Sequence, residues 1–401
     1  MNTYEVAPGI QWIGAVDWTV RDFHGYRTDN GTSYNSYLIV DEKPAVIDTV
    51  KAPFSLEWLG RVDEAVGLGS VAFVVCNHAE PDHSGALPTA MSAMPQAELV
   101  CNAKCREVLS AYYDTRTWKF RIVSDGERLA IGRRSLMFID TPMVHWPESM
   151  FTYVPEERVL FSMDAFGQHM ASSRRFDDEI SLDLLMREAR TYYANIVMLY
   201  SKPISKALEK AGRLAIQIIA PSHGTIWRRH VPEILKAYSG WTGFVPRARA
   251  LVIYDTMWGS TQMMARSIMD GASAGNVETR LFNVRTTDAT HIVSEILDAA
   301  AIAFGSPTLN MGMMPQMAAL LSYLKGLRPE RKAAFAFGSY GWGRGGAAEI
   351  EEQLKAMKFE IIREPIQSRY APGPDILAEC REAGRLLAGK ASEMAACSVA
   401  E

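Results

Sequence analysis

Val71-Ala72-Phe73-Val74-Val75-Cys76 runs without a break into Asn77-His78-Ala79-Glu80-Pro81-Asp82-His83-Ser84-Gly85. The first part is apolar and reads as a buried strand. Directly after it, His78, Glu80, Asp82 and His83 place four potential metal ligands within six positions. The C-terminal end of a buried strand is where α/β proteins gather their sites, and the alternation of the chain aims several side chains at one point. One loop rarely surrounds a metal. Further His, Asp or Glu residues are therefore expected at the ends of other apolar runs.

Leu136-Met137-Phe138-Ile139 leads into Met143-Val144-His145-Trp146, residues 159–163 lead into Asp164, and residues 214–220 lead into Pro221-Ser222-His223. The chain holds eight histidines, and His78, His83, His145 and His223 all fall at such strand ends. A single histidine there would read as an ordinary structural side chain; four together read as ligands. With Glu80, Asp82 and Asp164 they make a set of seven, the usual number for two metals that share a bridging carboxylate.

Composition sets the frame for this cluster. At 401 residues, 48% hydrophobic and 22% charged, the chain reads as a soluble globular protein of two domains. A net charge of −4 gives no basic field for nucleic acid and no polybasic membrane patch. The five cysteines contain no CxxC pair, so no disulfide framework is implied and the cytoplasm is the expected compartment. The N-terminus lacks the basic and apolar regions of a signal peptide, and no apolar run reaches the roughly 18 residues of a membrane span.

Up to about residue 70 the pattern suggests a β-meander, with apolar runs at 12–16, 36–40 and 45–48. A helix from Ser84 to about Met94, a strand near Glu98 and a helix through Tyr112-Tyr113 follow. Strands return between Phe120 and Met163, and residues 182–208 read as helical with an interruption at Pro203. Near 243–250 the character changes: a short, basic, proline-containing connection precedes the apolar strand Leu251-Val252-Ile253-Tyr254. Domains of 1–246 and 247–401 are expected. The second alternates strand and helix in the manner of a doubly wound parallel sheet of five strands, as in flavodoxin.

Its first strand opens into Asp255-Thr256-Met257-Trp258-Gly259-Ser260-Thr261. Hydroxyls and a glycine between a strand and a helix form a phosphate cradle from O–H and N–H donors at the positive end of the helix dipole. Neither Gly-Lys-Ser/Thr nor GxGxxG is present, so a nucleoside triphosphate or a dinucleotide is poorly served. FMN, with one terminal phosphate, fits better. Two more loops reach the same edge: Ser306-Pro307-Thr308-Leu309-Asn310 and Ser339-Tyr340-Gly341-Trp342-Gly343. Glycines there let the backbone approach a flat ring, and Tyr340 or Trp342 can lie against its face.

The His-x-Glu-x-Asp-His loop resembles the metallo-β-lactamase zinc motif, with Glu80 in place of its second histidine. That exchange favours iron over zinc. Together with His145-Trp146-Pro147, Asp164-Ala165-Phe166-Gly167-Gln168, Pro221-Ser222-His223-Gly224 and the three flavin loops, it resembles the flavodiiron proteins. The resemblance implies an α/β chain with a metallo-β-lactamase-like αββα domain followed by a flavodoxin-like domain. It further implies FMN and two iron ions: His78, Glu80 and His145 on one, Asp82, His83 and His223 on the other, Asp164 bridging. The family's activity is reduction of dioxygen to water, of nitric oxide to nitrous oxide, or of both, with rubredoxin as the favoured electron donor and a head-to-tail homodimer or dimer of dimers as the assembly. Tyr193, His24 and His169 are candidates for supporting the ligands. Two other readings stand beside this one: a zinc hydrolase with an appended flavodoxin domain, and a flavodoxin-like carrier whose N-terminal domain only docks.

Overall fold

The computed structural model describes residues 4–275 and 277–400, with side chains as far as residue 397. The chain folds as two compact units, Met1–Ser239 and Gly240–Glu401. The division falls within the helix Val231–Thr242, and Arg247–Tyr254 is the first strand of the second unit.

In the first unit a seven-stranded sheet runs in the order Tyr4–Ala7, Ile10–Trp12, Tyr37–Ile39, Ala45–Ile47, Phe73–Val75, Glu98–Cys101, Lys119–Ile122. The first four strands are antiparallel neighbours. From Ala45–Ile47 onward the pairing is parallel, so longer helical crossovers must return the chain. A second sheet orders Arg128–Ala130, Ser135–Asp140, Met150–Val154, Val159–Met163 and Ile218–Pro221, antiparallel except for its last pair. Ile47, Val75 and Val100 from one sheet share a buried cluster with Phe138, Val154 and Phe161 from the other. Strands such as Phe73–Val75 and Val159–Met163 are buried at every residue, which requires helices over the outer faces as well.

Three local expectations are corrected. The N-terminal region is not all strand and turn: Ser55–Val66 is a helix that buries Trp58, Leu59 and Val62, a helical spacing that Gly60 obscures. The run at 12–16 is split, with Ile10–Trp12 in the large sheet and Ala15–Asp17 paired to Thr32–Tyr34. At the break, a Cβ on Gly14 would stand 2.3 Å from the Tyr34 carbonyl oxygen, so only glycine lets the chain cross there. Finally, the helical stretch after Leu182 breaks before its proline. Leu182–Tyr192 passes through a π-helical turn, Tyr193–Val197, and a 3-10 turn, Met198–Tyr200, into Ser201–Ala211. Pro203 sits in the first turn of that last helix, where its missing N–H is not needed.

The second unit is a parallel sheet ordered Glu278–Asn283, Arg247–Tyr254, Ala299–Gly305, Ala333–Tyr340, Glu360–Ile361. In chain order this is 2-1-3-4-5, the flavodoxin-like winding, whose ligand crevice lies outside the carboxyl ends of the strands. The fifth strand comes in two pieces: Ile366–Arg369 pairs with the far half of Ala333–Tyr340. The long helix Pro374–Ala400 lies against Ser260–Ser273. Cβ atoms on Gly271 and Gly384 would meet the carbonyl oxygens of Arg381 and Ile268 at 1.8 and 2.0 Å, so this crossing is backbone on backbone. The five cysteines are all free, and among the described residues no helix is long and apolar enough to cross a membrane.

Candidate functional site

The loop after Phe73–Val75 is tied down before it presents its ligands. Asp48 accepts hydrogen bonds from the Asn77 backbone N–H and side-chain amide at 2.7 and 2.9 Å, and Thr152 Oγ1 donates to Asn77 Oδ1 at 2.7 Å. Pro81 begins the short helix Pro81–Ser84, whose Ser84 hydroxyl is within 2.7 Å of the Ala79 carbonyl and 3.1 Å of that of Glu80. His145 comes from the loop between Ser135–Asp140 and Met150–Val154, Asp164 from the end of Val159–Met163, and His223 from the end of Ile218–Pro221.

All seven expected ligands are buried, and they fall into two groups whose donor atoms lie within 4.8 Å of one another: His78, Glu80, His145 and Asp164, and Asp82, His83 and His223. Glu80 Oε2 stands 3.1 Å from His78 Nε2 and 3.2 Å from His145 Nε2. Asp82 Oδ2 stands 3.1 Å from His223 Nε2 and 3.4 Å from His83 Nε2. Asp164 faces both groups. Its Oδ2 is 3.1 Å from His145 and 3.4 Å from His78, while its Oδ1 is 3.0 Å from His83 and 3.4 Å from His223.

The carboxylate oxygens of Asp82 and Asp164 and both ring nitrogens of His83 are buried without a hydrogen-bond partner. Such burial costs several kcal/mol unless a cation satisfies the atoms, so the residues present fit a metal pair. In the metal-free chain protons take that part. Burial opposes charge on His145 and His223, but the nearby carboxylates of Asp164 and of Glu80 or Asp82 outweigh it and push them up to about 9 and about 10. Burial likewise opposes charge on Asp164, yet His83, His145 and His223 hold its carboxyl well below the usual range. Metal must displace the imidazole protons. Loading at pH 7 should therefore release at least the two protons of His145 and His223, and the release should fade as pH rises through 9 to 10. Calorimetry in buffers of different ionisation enthalpy reads the number directly, and proton-neutral loading at pH 7 would contradict this geometry.

Around the ligands, His24 Nε2 lies 2.7 Å from Glu80 Oε1. His169 shares a 2.7 Å hydrogen bond with Thr32 Oγ1 and stacks 4.8 Å from the His223 ring. Tyr193 was expected beside the metals; its hydroxyl instead meets Ser201 Oγ at 2.8 Å, edge-on to Tyr238. The place near the ligands is taken by Tyr192, 4.9 Å from His169 and 6.0 Å from His223, on the last residue before the π-helical turn. Sequence reasoning also passed over Glu148, which accepts from His78 Nδ1 at 2.8 Å; its position three residues after His145 was the only signal. A cavity of about 560 Å³ lined by His24, Lys51, Tyr113 and others reaches Glu80 and Asp82.

In the second unit the strand-end loops enclose a cavity of about 540 Å³, the size of a small-ligand site. Of the expected cofactor residues, Met257, Trp258, Ser260, Pro307, Thr308, Asn310, Ser339, Tyr340, Gly341, Trp342 and Gly343 line it. Met311, Tyr370 and Ala371 do too, and none of these was anticipated. Tyr370 arrives through the split fifth strand. Thr256, Gly259, Thr261, Ser306 and Leu309 brace the loops instead. Thr256 Oγ1 accepts from the Gly259 N–H at 3.1 Å, Thr261 shares a 3.0 Å bond with Ser339 Oγ, and Ser306 Oγ accepts from the Met314 N–H at 2.9 Å. Leu309 exchanges backbone bonds with Gly312. Trp258 and Trp342 are 90% and 92% exposed, leaving two indoles free to cover a flat ring.

Residues 32–224 match the family model described as ODP family beta lactamase, and residues 252–384 match that of flavodoxin. A protein of Moorella thermoacetica named nitric oxide reductase is 45% identical, over 97% of this chain and 98% of its own length. Among solved structures, the flavodiiron protein of Giardia intestinalis is 39% identical with a TM-score of 0.95, covering 99% of this chain and 98% of its own. The rubredoxin oxygen:oxidoreductase of Desulfovibrio gigas is 33% identical with the same TM-score of 0.95, covering 98% and 99%. With a buried His/carboxylate pair of clusters in one unit and a flavodoxin winding in the other, over nearly the full length of such relatives, the chain belongs to the flavodiiron protein family.

Proposed function

We propose that this chain takes electrons from an external donor of the rubredoxin type and reduces dioxygen, nitric oxide or both, with residues 1–246 holding two irons and residues 247–401 holding FMN. The observation that carries the reading is Asp164, whose two oxygens each face a separate group of imidazoles, as a bridging carboxylate must. In this reading His78, Glu80 and His145 hold one iron, and Asp82, His83 and His223 hold the other. Iron and flavin, when bound, supply the redox chemistry; the chain supplies position and exclusion of water. The buried ligand loop fixes the donor atoms, His24 orients the outer oxygen of Glu80 at the mouth of the cavity, and His169 and Tyr192 pack around His223.

A zinc hydrolase is disfavoured by Glu80, which puts a third carboxylate into the set, and by relatives that are reductases along the whole chain. A mere docking module has no use for seven buried ligands. The free cysteines suit the reducing cytoplasm.

For assembly we propose a head-to-tail homodimer, alone or as a dimer of dimers, in which each flavin serves the partner's metals. The test pairs a chain without iron (His78→Ala with Asp164→Ala) with a chain weakened in flavin binding and stripped of its flavin (Gly345→Ala), isolated as a mixed dimer by two affinity tags. Roughly half of the wild-type gas consumption should return, one site in two by symmetry. A mixed dimer that carries iron and flavin yet consumes no gas would exclude electron transfer between chains.

A further inference from the structure

The imidazoles of the metal site differ in what holds their outer nitrogens. His223 Nδ1 donates to the Ser33 carbonyl, a neutral acceptor, at 2.7 Å, and His83 Nδ1 has no partner among the described residues. His78 Nδ1 donates instead to Glu148 Oε1 at 2.8 Å, and that glutamate is completely buried. The same oxygen accepts from the Ala79 backbone N–H at 3.1 Å, so one carboxylate grips both the ligand ring and the backbone between His78 and Glu80. Glu148 is itself held: its carbonyl accepts from Asn102 Nδ2 at 2.8 Å, and Asn102 caps the helix Ala103–Tyr112. Trp146 closes the other side, edge-on to the His78 ring at 5.2 Å and 86°.

Two physical effects follow from this contact. Fixing the proton on Nδ1 leaves Nε2 to face Glu80 Oε2 and Asp164 Oδ2, which sets both tautomer and ring angle. A full negative charge, one imidazole away from one group of ligands and without solvent to screen it, also makes His78 a stronger electron donor than an imidazole bound to a carbonyl. His223, in the other group, has only the carbonyl.

We infer that Glu148 is a positioning residue that makes the two metal positions unequal: it fixes His78 and, through it, lowers the reduction potential of the iron held with Glu80 and His145. This rests on the diiron reading above. The carboxylate does not touch the gas or the metals; it acts through the ring.

The test uses the full-length iron-loaded protein and three variants. Glu148→Gln keeps an acceptor for Nδ1–H but removes the charge. Iron should stay bound, one of two Mössbauer doublets should change, and one of two midpoint potentials should rise while the other holds. Glu148→Asp keeps the charge but withdraws it by one methylene, and the same doublet should move by less. Glu148→Ala removes the grip as well, and iron in that half should bind roughly 10- to 100-fold more weakly by chelator competition. A residue needed only for folding would lower thermal stability without moving one iron's spectrum apart from the other's. Iron-loaded Gln and Asp variants with wild-type spectra and both potentials unchanged would overturn the inference. Wild-type protein that takes up no iron would instead overturn the diiron reading on which it rests.

Discussion

Asp164→Ala should lower iron content to near zero and abolish gas reduction, while flavin should stay bound. The reason is its place between the two groups: Oδ2 serves the His78 and His145 side and Oδ1 the His83 and His223 side. Removing one side chain therefore deprives both metals of a ligand. It also leaves four imidazoles close together, with His78 and His83 ring centres 5.3 Å apart and those of His83 and His223 4.9 Å apart, and with only Glu80 and Asp82 left of the three carboxylates that draw cations in. The loss should exceed the roughly 10- to 100-fold that removal of a merely supporting partner costs. Flavin survives because the flavodoxin-like unit has its own buried core, with Val252, Ala303, Phe335 and Leu387 among its members. Metal analysis and the visible spectrum of one preparation read both halves of this result. Full iron occupancy would remove Asp164 from the site.

Gly345→Ala should produce the reverse pattern, with flavin bound more weakly and iron retained. An added Cβ would lie 1.7 Å from the Met311 carbonyl oxygen, an overlap only backbone movement relieves. Met311 lines the cavity, and the N–H groups of Gly345 and Gly346 both donate to Thr308 Oγ1, at 3.3 and 3.0 Å, so the strain falls on two cavity walls together. Overpacking costs about 1–3 kcal/mol, which converts to roughly 5- to 150-fold in affinity, and a backbone obstacle places this case at the upper end. FMN fluorescence titration of the iron-loaded variant measures it. Unchanged affinity would show that these loops are not the flavin's walls.

The seven His and carboxylate side chains that gather into two groups were legible in the sequence because strand ends are marked twice, by an apolar run and by the polar side chain that ends it. The winding of the second unit was legible for a related reason, since parallel strands buried on both faces read as unbroken apolar runs. What the sequence hid depends on packing between distant segments. Glu148 is an ordinary loop glutamate until Asn102 and Ala79 close on it. Tyr192 and Tyr193 are adjacent residues, and only the π-helical turn decides which of them faces His169. The sequence also does not display that Thr256 accepts from the Gly259 N–H or that Thr261 shares a bond with Ser339 from a distant loop. Met311 lies just past the recognised loop and Tyr370 in a loop with no cofactor pattern, brought to the cavity by the Leu309–Gly312 bridge and the divided fifth strand.

The central claim, that one chain joins a diiron site to a flavin site, is tested most directly by metal analysis and a visible spectrum of the purified wild-type protein. The two ligand groups and the single flavodoxin-like cavity predict two irons and one yellow flavin per chain. Stoichiometric zinc in place of iron, or flavin with no stoichiometric metal, would contradict it.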